Sequence, residues 1–222
     1  MLLLAADTSG KHGSVALAEC TKDNVRVIEV VPLTGGTFSA QLVPQIASLL
    51  ANHGYTKRDV GTFVVASGPG SFTGLRVGLA AIKALAEVLQ KPIAAVSLLE
   101  VIAESAEAEG TLLAVLDAGR DEVYAGEFEM GEPGMRRLGG EQLMSREECL
   151  QLGDGWTLVT PDAALAQRAR ALGRKVQQVQ APRSDRIVQI GWRKIQAGQT
   201  VSPEELDANY IRRSDAEIFA KK

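Results

Sequence analysis

The 222 residues, 45% of them hydrophobic and 23% charged, place this chain among ordinary globular proteins and allow one large or two small domains. The net charge of -3 is spread evenly, with 8 Lys/Arg against 10 Asp/Glu through Thr111 and 16 against 17 after it, which argues against a nucleic-acid platform in either half. Cys20 and Cys149 are the only two cysteines and lie far apart, which argues against a disulfide framework or a cysteine zinc site and fits a reducing cytosol.

The apolar opening Met1 to Ala6 stops at Asp7, too short and without the positive flank of a signal peptide, and no run approaches a membrane-spanning length. A cytoplasmic protein with no membrane partner is the expectation. Strand-like runs occupy Leu2 to Ala6, Ser14 to Glu19 and Val25 to Val31, the first two joined by the polar turn Thr8 to Gly13. A helical pattern follows, with Leu42, Val43, Ile46, Leu49 and Leu50 on one face and Gly54 past its end. Next come a buried strand at Thr62 to Ala66, a glycine-studded turn at Ser67 to Gly74, a helix from Leu75 to Gln90, and a short strand at Ile93 to Val96. Ser97 and Glu100 have capping-box spacing for a helix to about Glu109.

At Leu112 the order restarts. Leu112 to Leu116 ends in Asp117 as Leu2 to Ala6 ends in Asp7, and strands are expected at Glu122 to Glu129 and near Met135 to Leu138. Ser145 and Glu148 cap a helix, Leu158 and Val159 read as strand, Pro161 opens a helix closed by Gly173, and a last helix runs from about Ser184 to Gln196. Stretches at Gly131 to Gly134, Gly153 to Gly155 and Gln199 to Pro203 read as loops. The pattern is a β-β-β-α-β-α unit used twice, an α/β protein with expected subdomains 1–110 and 111–222 facing a cleft.

The helix from Leu75 has almost no polar face. Arg76, Lys83, Glu87 and Gln90 form one narrow stripe, while Leu75, Val77, Leu79, Ile82, Leu85, Val88 and Leu89 take the rest of the circumference. If three of these seven large side chains stayed uncovered, the unrealised burial would be roughly 5 to 9 kcal/mol, comparable with a domain's net stability. That expectation calls for a neighbouring helix or a partner.

The glycine turn has two readings. Backbone N–H groups at a helix start can cradle phosphate, yet Ser67 to Gly74 matches neither a Walker loop nor a G-x-G-x-x-G fingerprint. The other reading is a tight strand-to-helix turn in which Gly70 and Gly74 supply permissive dihedrals and Gly78 permits close packing. Asp7, with Thr8, and Asp117 hold equivalent places in the two repeats. Together with Gly70 and Ser71 they could line a nucleotide cleft holding Mg2+ for phosphoryl transfer, or each aspartate could close its hairpin as an Asx turn. His12 and His53 lack H-x-x-x-H spacing, so a metal site of that type is unsupported. Ser71 has no nucleophile-elbow context and no histidine placed as its base. Glu100, Glu104 and Glu107, like Arg168, Arg170 and Arg174, read as solvent-facing charge.

The string SGPGSFTGLRVG, preceded by a strand ending in DTS and followed by VSLLEVIA, VLDAGRDEVYAGEF and Tyr210-Ile211-Arg212, closely resembles the TsaB (YeaZ) family over nearly the whole chain. The resemblance implies an actin-like ATPase (ASKHA) fold with duplicated subdomains. It also implies a role in the bacterial machinery that places a threonylcarbamoyl group on an adenosine of tRNA. In that family the transferase is the paralogue TsaD, whose metal is held by paired histidines, and TsaB is its non-catalytic dimerisation scaffold, joined by the ATPase TsaE. The resemblance further implies that this chain binds no cofactor alone, that ATP and Mg2+ enter with the complex, that tRNA is met only through the complex, and that the isolated chain forms a homodimer. By analogy, the interface to TsaD or a second copy comprises Ser39, Leu42, Val43 and Ile46 on the first helix and Leu75, Arg76, Leu79, Ile82 and Lys83 on the second.

Two positions depart from the family pattern. Phe38 stands where the family has His at the start of the first interface helix, and Asp117-Ala118-Gly119 replaces D-A-R, with an arginine next at Arg120. The alternative function is an independent ATP phosphotransferase or hydrolase of the same fold using Asp7 and Asp117. A peptidase lacks its base.

Overall fold

The computed structural model describes residues 1–34, 37–132, 134–152 and 155–212. Among these described residues seventeen elements follow in chain order, and they separate into two compact units. Among the described residues the first contains Met1–Ser97 and Arg183–Tyr210; the second contains Leu98–Pro182, Ile211 and Arg212.

In the first unit β1 (Leu2–Asp7) pairs antiparallel with β2 (Gly13–Cys20), and β2 with β3 (Val25–Leu33). Helix α1 (Phe38–Asn52) leads to β4 (Val60–Gly68), parallel to β1, and α2 (Phe72–Leu89) leads to β5 (Ile93–Ser97), parallel to β4. The sheet order is β3-β2-β1-β4-β5. Central strands β1 and β2 are buried almost throughout, as strands covered on both faces must be. One face packs Leu4, Val15, Leu17, Phe63 and Val65 against Leu42, Ile46 and Leu49 of α1 and Leu75, Leu79 and Ile82 of α2.

The second unit repeats the first. After α3 (Leu98–Glu104) come β6 (Gly110–Gly119), β7 (Glu122–Gly131), β8 (Gly134–Arg137) and β9 (Gln142–Ser145). Then follow α4 (Arg146–Gln151), β10 (Thr157–Thr160), α5 (Ala163–Ala171) and β11 (Val176–Gln178), after which α6 (Ser184–Gln196) returns the chain to the first unit. The order β11-β10-β6-β7-β8, read backwards, is the order of the first sheet with the same parallel and antiparallel pairings, and β9 pairs additionally with β7. Alternation sorts its core: Leu113, Val115 and Val123 face α4 and α5, whereas Leu112, Ala114, Tyr124 and Phe128 pack with Leu99 and Ile102 of α3.

Three expectations change. The repeating unit is β-β-β-α-β-α-β-α, because β11 completes the second sheet and each repeat has a further helix. The expected division at 110/111 also gives way, since the last helix of each repeat packs with the other repeat's sheet. Helix α3 lies on β6 and β7, and α6 lies on all five strands of the first sheet. The sequence permits that exchange at a row of laterally paired residues, Ala16, Ala5, Val64 and Ala94, and at Gly191 of α6, where a Cβ would fall inside contact distance of Val64. Finally, α3 ends at Glu104 rather than near Glu109: the backbone N–H groups of Glu107 and Ala108 donate to Gln177 Oε1 at 3.0 and 3.2 Å instead of continuing a helix. Part of the expected loop at Gly131 to Gly134 and of that at Gly153 to Gly155 lies outside the described residues.

Candidate functional site

Helix α2 starts a turn earlier than the hydrophobic pattern indicates, at Phe72, because Ser71 serves as N-cap: its hydroxyl accepts from the Gly74 N–H at 3.3 Å. That accounts for Ser71, an exposed capping residue. His53 has its Nε2 2.8 Å from Glu29 Oε2 on β3.

The segment Asp7-Thr8-Ser9 is buried against the start of α2. The Ser71 N–H donates to the Ser9 carbonyl at 2.6 Å, and the Thr8 hydroxyl donates to the Gly74 carbonyl at 2.7 Å. A Cβ at Gly70 would lie 2.6 Å from the Ser9 carbonyl oxygen, one at Gly78 would lie 2.5 Å from Thr8 Oγ1, and one at Gly74 would collide with the Thr8 carbonyl. Gly70, Gly74 and Gly78 therefore form a seat for the turn after β1. Of the two readings of the glycine-rich string, the tight-packing one is realised in its close approach but not in its dihedrals: Gly70 and Gly74 are needed for the space a Cβ would take, and neither has a positive φ.

Asp7 Oδ1 accepts from the Ser9 N–H at 2.8 Å and the Ser9 hydroxyl at 2.5 Å, closing an Asx turn. Burial raises the Asp7 pKa, opposed by the hydrogen bonds from Ser9. Mg2+ coordination requires an ionised carboxylate directed at the ion. The burial and Ser9 bonding of Asp7, with the glycine seat filled by Thr8 and Ser9, do not fit a Mg2+-held phosphate, so no reaction step is assigned to the proposed cleft residues Asp7, Thr8, Gly70 and Ser71.

In the second unit Asp117 makes the matching Asx turn, with Oδ1 accepting from the Gly119 N–H at 3.1 Å. Arg146, the first residue of α4, lies 2.8 Å from Asp117 Oδ1 and 2.7 Å from Asp162 Oδ2, tying the β6–β7 hairpin to the N-cap of α5. The hairpin tip, Arg120-Asp121, has positive φ at both residues, 56° and 61°. Arg146 was missed at the sequence level because its partners lie 29 and 16 residues away; the Ser145–Glu148 capping box, present as expected, identifies only its place in the helix.

The proposed interface residues divide sharply. Leu42, Ile46, Leu75, Leu79 and Ile82 are buried in the first unit's own core, with Leu42 also flooring the groove between α1 and α2. Of the neighbouring helix or partner that α2 calls for, this side has the neighbouring helix: the sheet and α1 enclose it. Ser39, Val43 and Arg76 are exposed, Val43 by 51%, and Lys83 is half-buried. Ser39, Val43, Phe72, Thr73, Arg76, Val77, Ala80 and Ala81, over Leu42, line an apolar groove of about 450 Å3 between α1 and α2.

Phe38, at the family's histidine position, packs partly against the core and sits 3.0 Å from where a Cβ at Gly13 would lie. At the groove's end stands a cluster that hydrophobic periodicity does not reveal. The rings of Phe72 and Tyr210 are 4.9 Å apart, the Arg76 guanidinium lies 3.8 Å from the Phe72 centroid, and Arg76 Nε donates to the Tyr210 hydroxyl at 3.2 Å. Tyr210 is carried there by residues 201–210, which bridge to β5 at Val201 and bond to the Ser67 carbonyl through the Asn209 N–H.

Cys20 and Cys149 are buried thiols with pKa values pushed up to about 11 by desolvation. Among the described residues, no helix is long and apolar enough to cross a membrane.

The family model described as "TsaD: tRNA N6-adenosine threonylcarbamoyltransferase" matches residues 30–195. A Bacillus subtilis relative named tRNA threonylcarbamoyladenosine biosynthesis protein TsaB is 35% identical over 130 residues, covering 58% of this chain and 56% of its own. An Escherichia coli relative of the same name is 28% identical over 229 residues, covering 97% and 96%. The first alignment thus spans just over half of its relative, the second nearly all. The solved structure described as YeaZ from Pseudomonas aeruginosa superposes with a TM-score of 0.75 at 25% identity, covering 94% of this chain and 99% of that one. Another structure from that organism, described as an uncharacterized protein with similarity to peptidase YEAZ, has the same score and identity. With its two sheets of identical order and its glycine-seated first turn, the chain belongs to the TsaB/YeaZ family and has the actin-like ASKHA fold.

Proposed function

We propose that this chain acts in tRNA threonylcarbamoyladenosine biosynthesis as a non-catalytic subunit that docks onto a larger, TsaD-like threonylcarbamoyltransferase through the groove between α1 and α2. The observation carrying the docking reading is the groove itself: Val43, Phe72 and Val77 remain open beside two helices whose inner faces are already packed. Val43 is about half exposed and Phe72 and Val77 are partly buried already, so covering what remains would be worth about 2 to 3 kcal/mol before the entropic cost of association. The non-catalytic reading is supported by Asp7, buried and bonded to Ser9, and by Asp117, engaged by Gly119 and Arg146. ATP and Mg2+ then enter with a TsaE-like ATPase in the assembled complex, tRNA is met through that complex, and the isolated chain covers the groove with a second copy. A cytoplasmic location follows from this role.

The test pairs binding with turnover. Val43→Asp combined with Val77→Asp should abolish co-elution with the transferase on size-exclusion chromatography while leaving the circular dichroism of a folded chain; an undiminished complex would overturn the docking reading. ATP hydrolysis by the purified chain alone that disappears in Asp7→Ala would instead establish the phosphotransferase or hydrolase alternative.

A further inference from the structure

We infer that Arg76 determines the specificity of the α1–α2 groove, and that its occupant is an amphipathic helix of the partner bearing a carboxylate opposite the guanidinium. The inference rests on the docking reading above and adds the chemistry of the partner.

Apart from Arg76, the groove lining is uncharged. Arg76 is exposed, and among the described residues it pairs with no carboxylate; its contacts are the Phe72 ring at 3.8 Å, the Tyr210 ring at 6.0 Å and the Tyr210 hydroxyl at 3.2 Å. These contacts restrict the long side chain before a partner arrives, which lowers the ordering cost of binding. They engage Nε and stack the guanidinium on the Phe72 ring, leaving the two terminal nitrogens without a partner among the described residues, a pair suited to bidentate recognition of a carboxylate.

The surrounding stripe strengthens the charge preference. Lys83 lies two helical turns along α2 from Arg76, and Glu87, the acid in the stripe, lies 11 residues away, about 16 Å along the axis. A partner helix can lay an apolar ridge between α1 and α2, and a cation placed opposite Arg76 would be repelled. The same geometry makes Tyr210 a positioning residue: it orients the cation from the end of a segment remote in sequence.

The experiment is binding to the TsaD-like transferase of the same organism at about 50 and about 500 mM salt, across a large change in screening length. Arg76→Gln should weaken the complex by about tenfold or more and remove most of its salt dependence. Arg76→Lys should recover only part of the loss, and Tyr210→Phe should weaken binding a few-fold without lowering the melting temperature. Arg76→Glu should be rescued by changing one acidic residue on the partner's docking helix to Lys. Wild-type binding by Arg76→Gln at both salt concentrations would overturn the inference while leaving docking intact. Loss of the docking reading itself would show as an intact complex in the Val43→Asp, Val77→Asp variant. Self-association lost equally in Arg76→Glu and Glu87→Lys and restored in the double variant would assign the carboxylate to a second copy and overturn the partner-helix assignment.

Discussion

The hydroxyl of Thr8 donates to the carbonyl oxygen of Gly74 at 2.7 Å, and the Thr8 backbone occupies the space that a side chain at position 74 would need. This contact joins the turn after β1 to the first turn of α2. Gly74→Ala should therefore destabilise the protein by at least about 2 kcal/mol, since backbone must move to admit one methyl group. Gly78→Ala should cost less, because the nearest atom is a rotatable hydroxyl. Urea unfolding midpoints at constant slope check both.

Asp7 gives a pH prediction. Its folded-state pKa is raised by burial, so as pH rises past the ordinary carboxylate value of 3.8 the unfolded chain loses this proton before the folded chain does. Its contribution to stability is complete below that value and declines by up to about 1.4 kcal/mol per pH unit until the folded group ionises. Asp7→Asn keeps an oxygen acceptor for Ser9 and should remove this decline, making the variant relatively more stable at pH 8 than at pH 4. Thermal melts of both proteins across that range provide the measurement.

Buried and exposed apolar residues of the helical pair should part company. Leu79→Glu and Ile82→Glu place a carboxylate in the core and should each cost about 3 kcal/mol or more, visible as lost helicity or a collapsed melting temperature. Val43→Glu, on the same pair of helices, should shift stability by less than about 0.5 kcal/mol.

The β6–β7 hairpin has Arg120 and Asp121 in the left-handed region, where an asparagine followed by a glycine is favoured. The double substitution Arg120→Asn with Asp121→Gly should stabilise the second unit by about 1 kcal/mol, and calorimetry should show a higher melting temperature.

Arg146 carries the second unit's main charged tie. Arg146→Met keeps the length of the aliphatic stem but leaves Asp162, which is mostly buried, without its ion pair, and should cost about 1 to 3 kcal/mol in chemical denaturation.

Much of this was legible before any coordinates. The strands carrying Asp7 and Asp117 occupy matching places in two sheets, although the second runs on to Gly119; the Ser145 capping box is present, and α6 spans Ser184 to Gln196 as its pattern indicates. Short or weakly patterned strands were not legible. The three residues of β11 and the four of β9 become strands through pairing with β10 and β7, and no local periodicity announces such a partner. The candidate interface was half legible: periodicity identified both helices but could not separate Leu79 from Val43, because apolar residues on a nearly all-apolar helix do not reveal which side the sheet will cover.

Local chemistry in the chain was sufficient for the duplicated α/β plan, the Ser145-capped start of α4 and the small residues of the glycine-rich turn, since alternation, helical spacing and capping act between near neighbours. Three-dimensional packing was needed to seat Thr8 against Gly74, to assign α3 and α6 to their sheets, and to bring Tyr210 beside Arg76. Those contacts join residues separated by tens of positions, and steric fit between whole elements selects them.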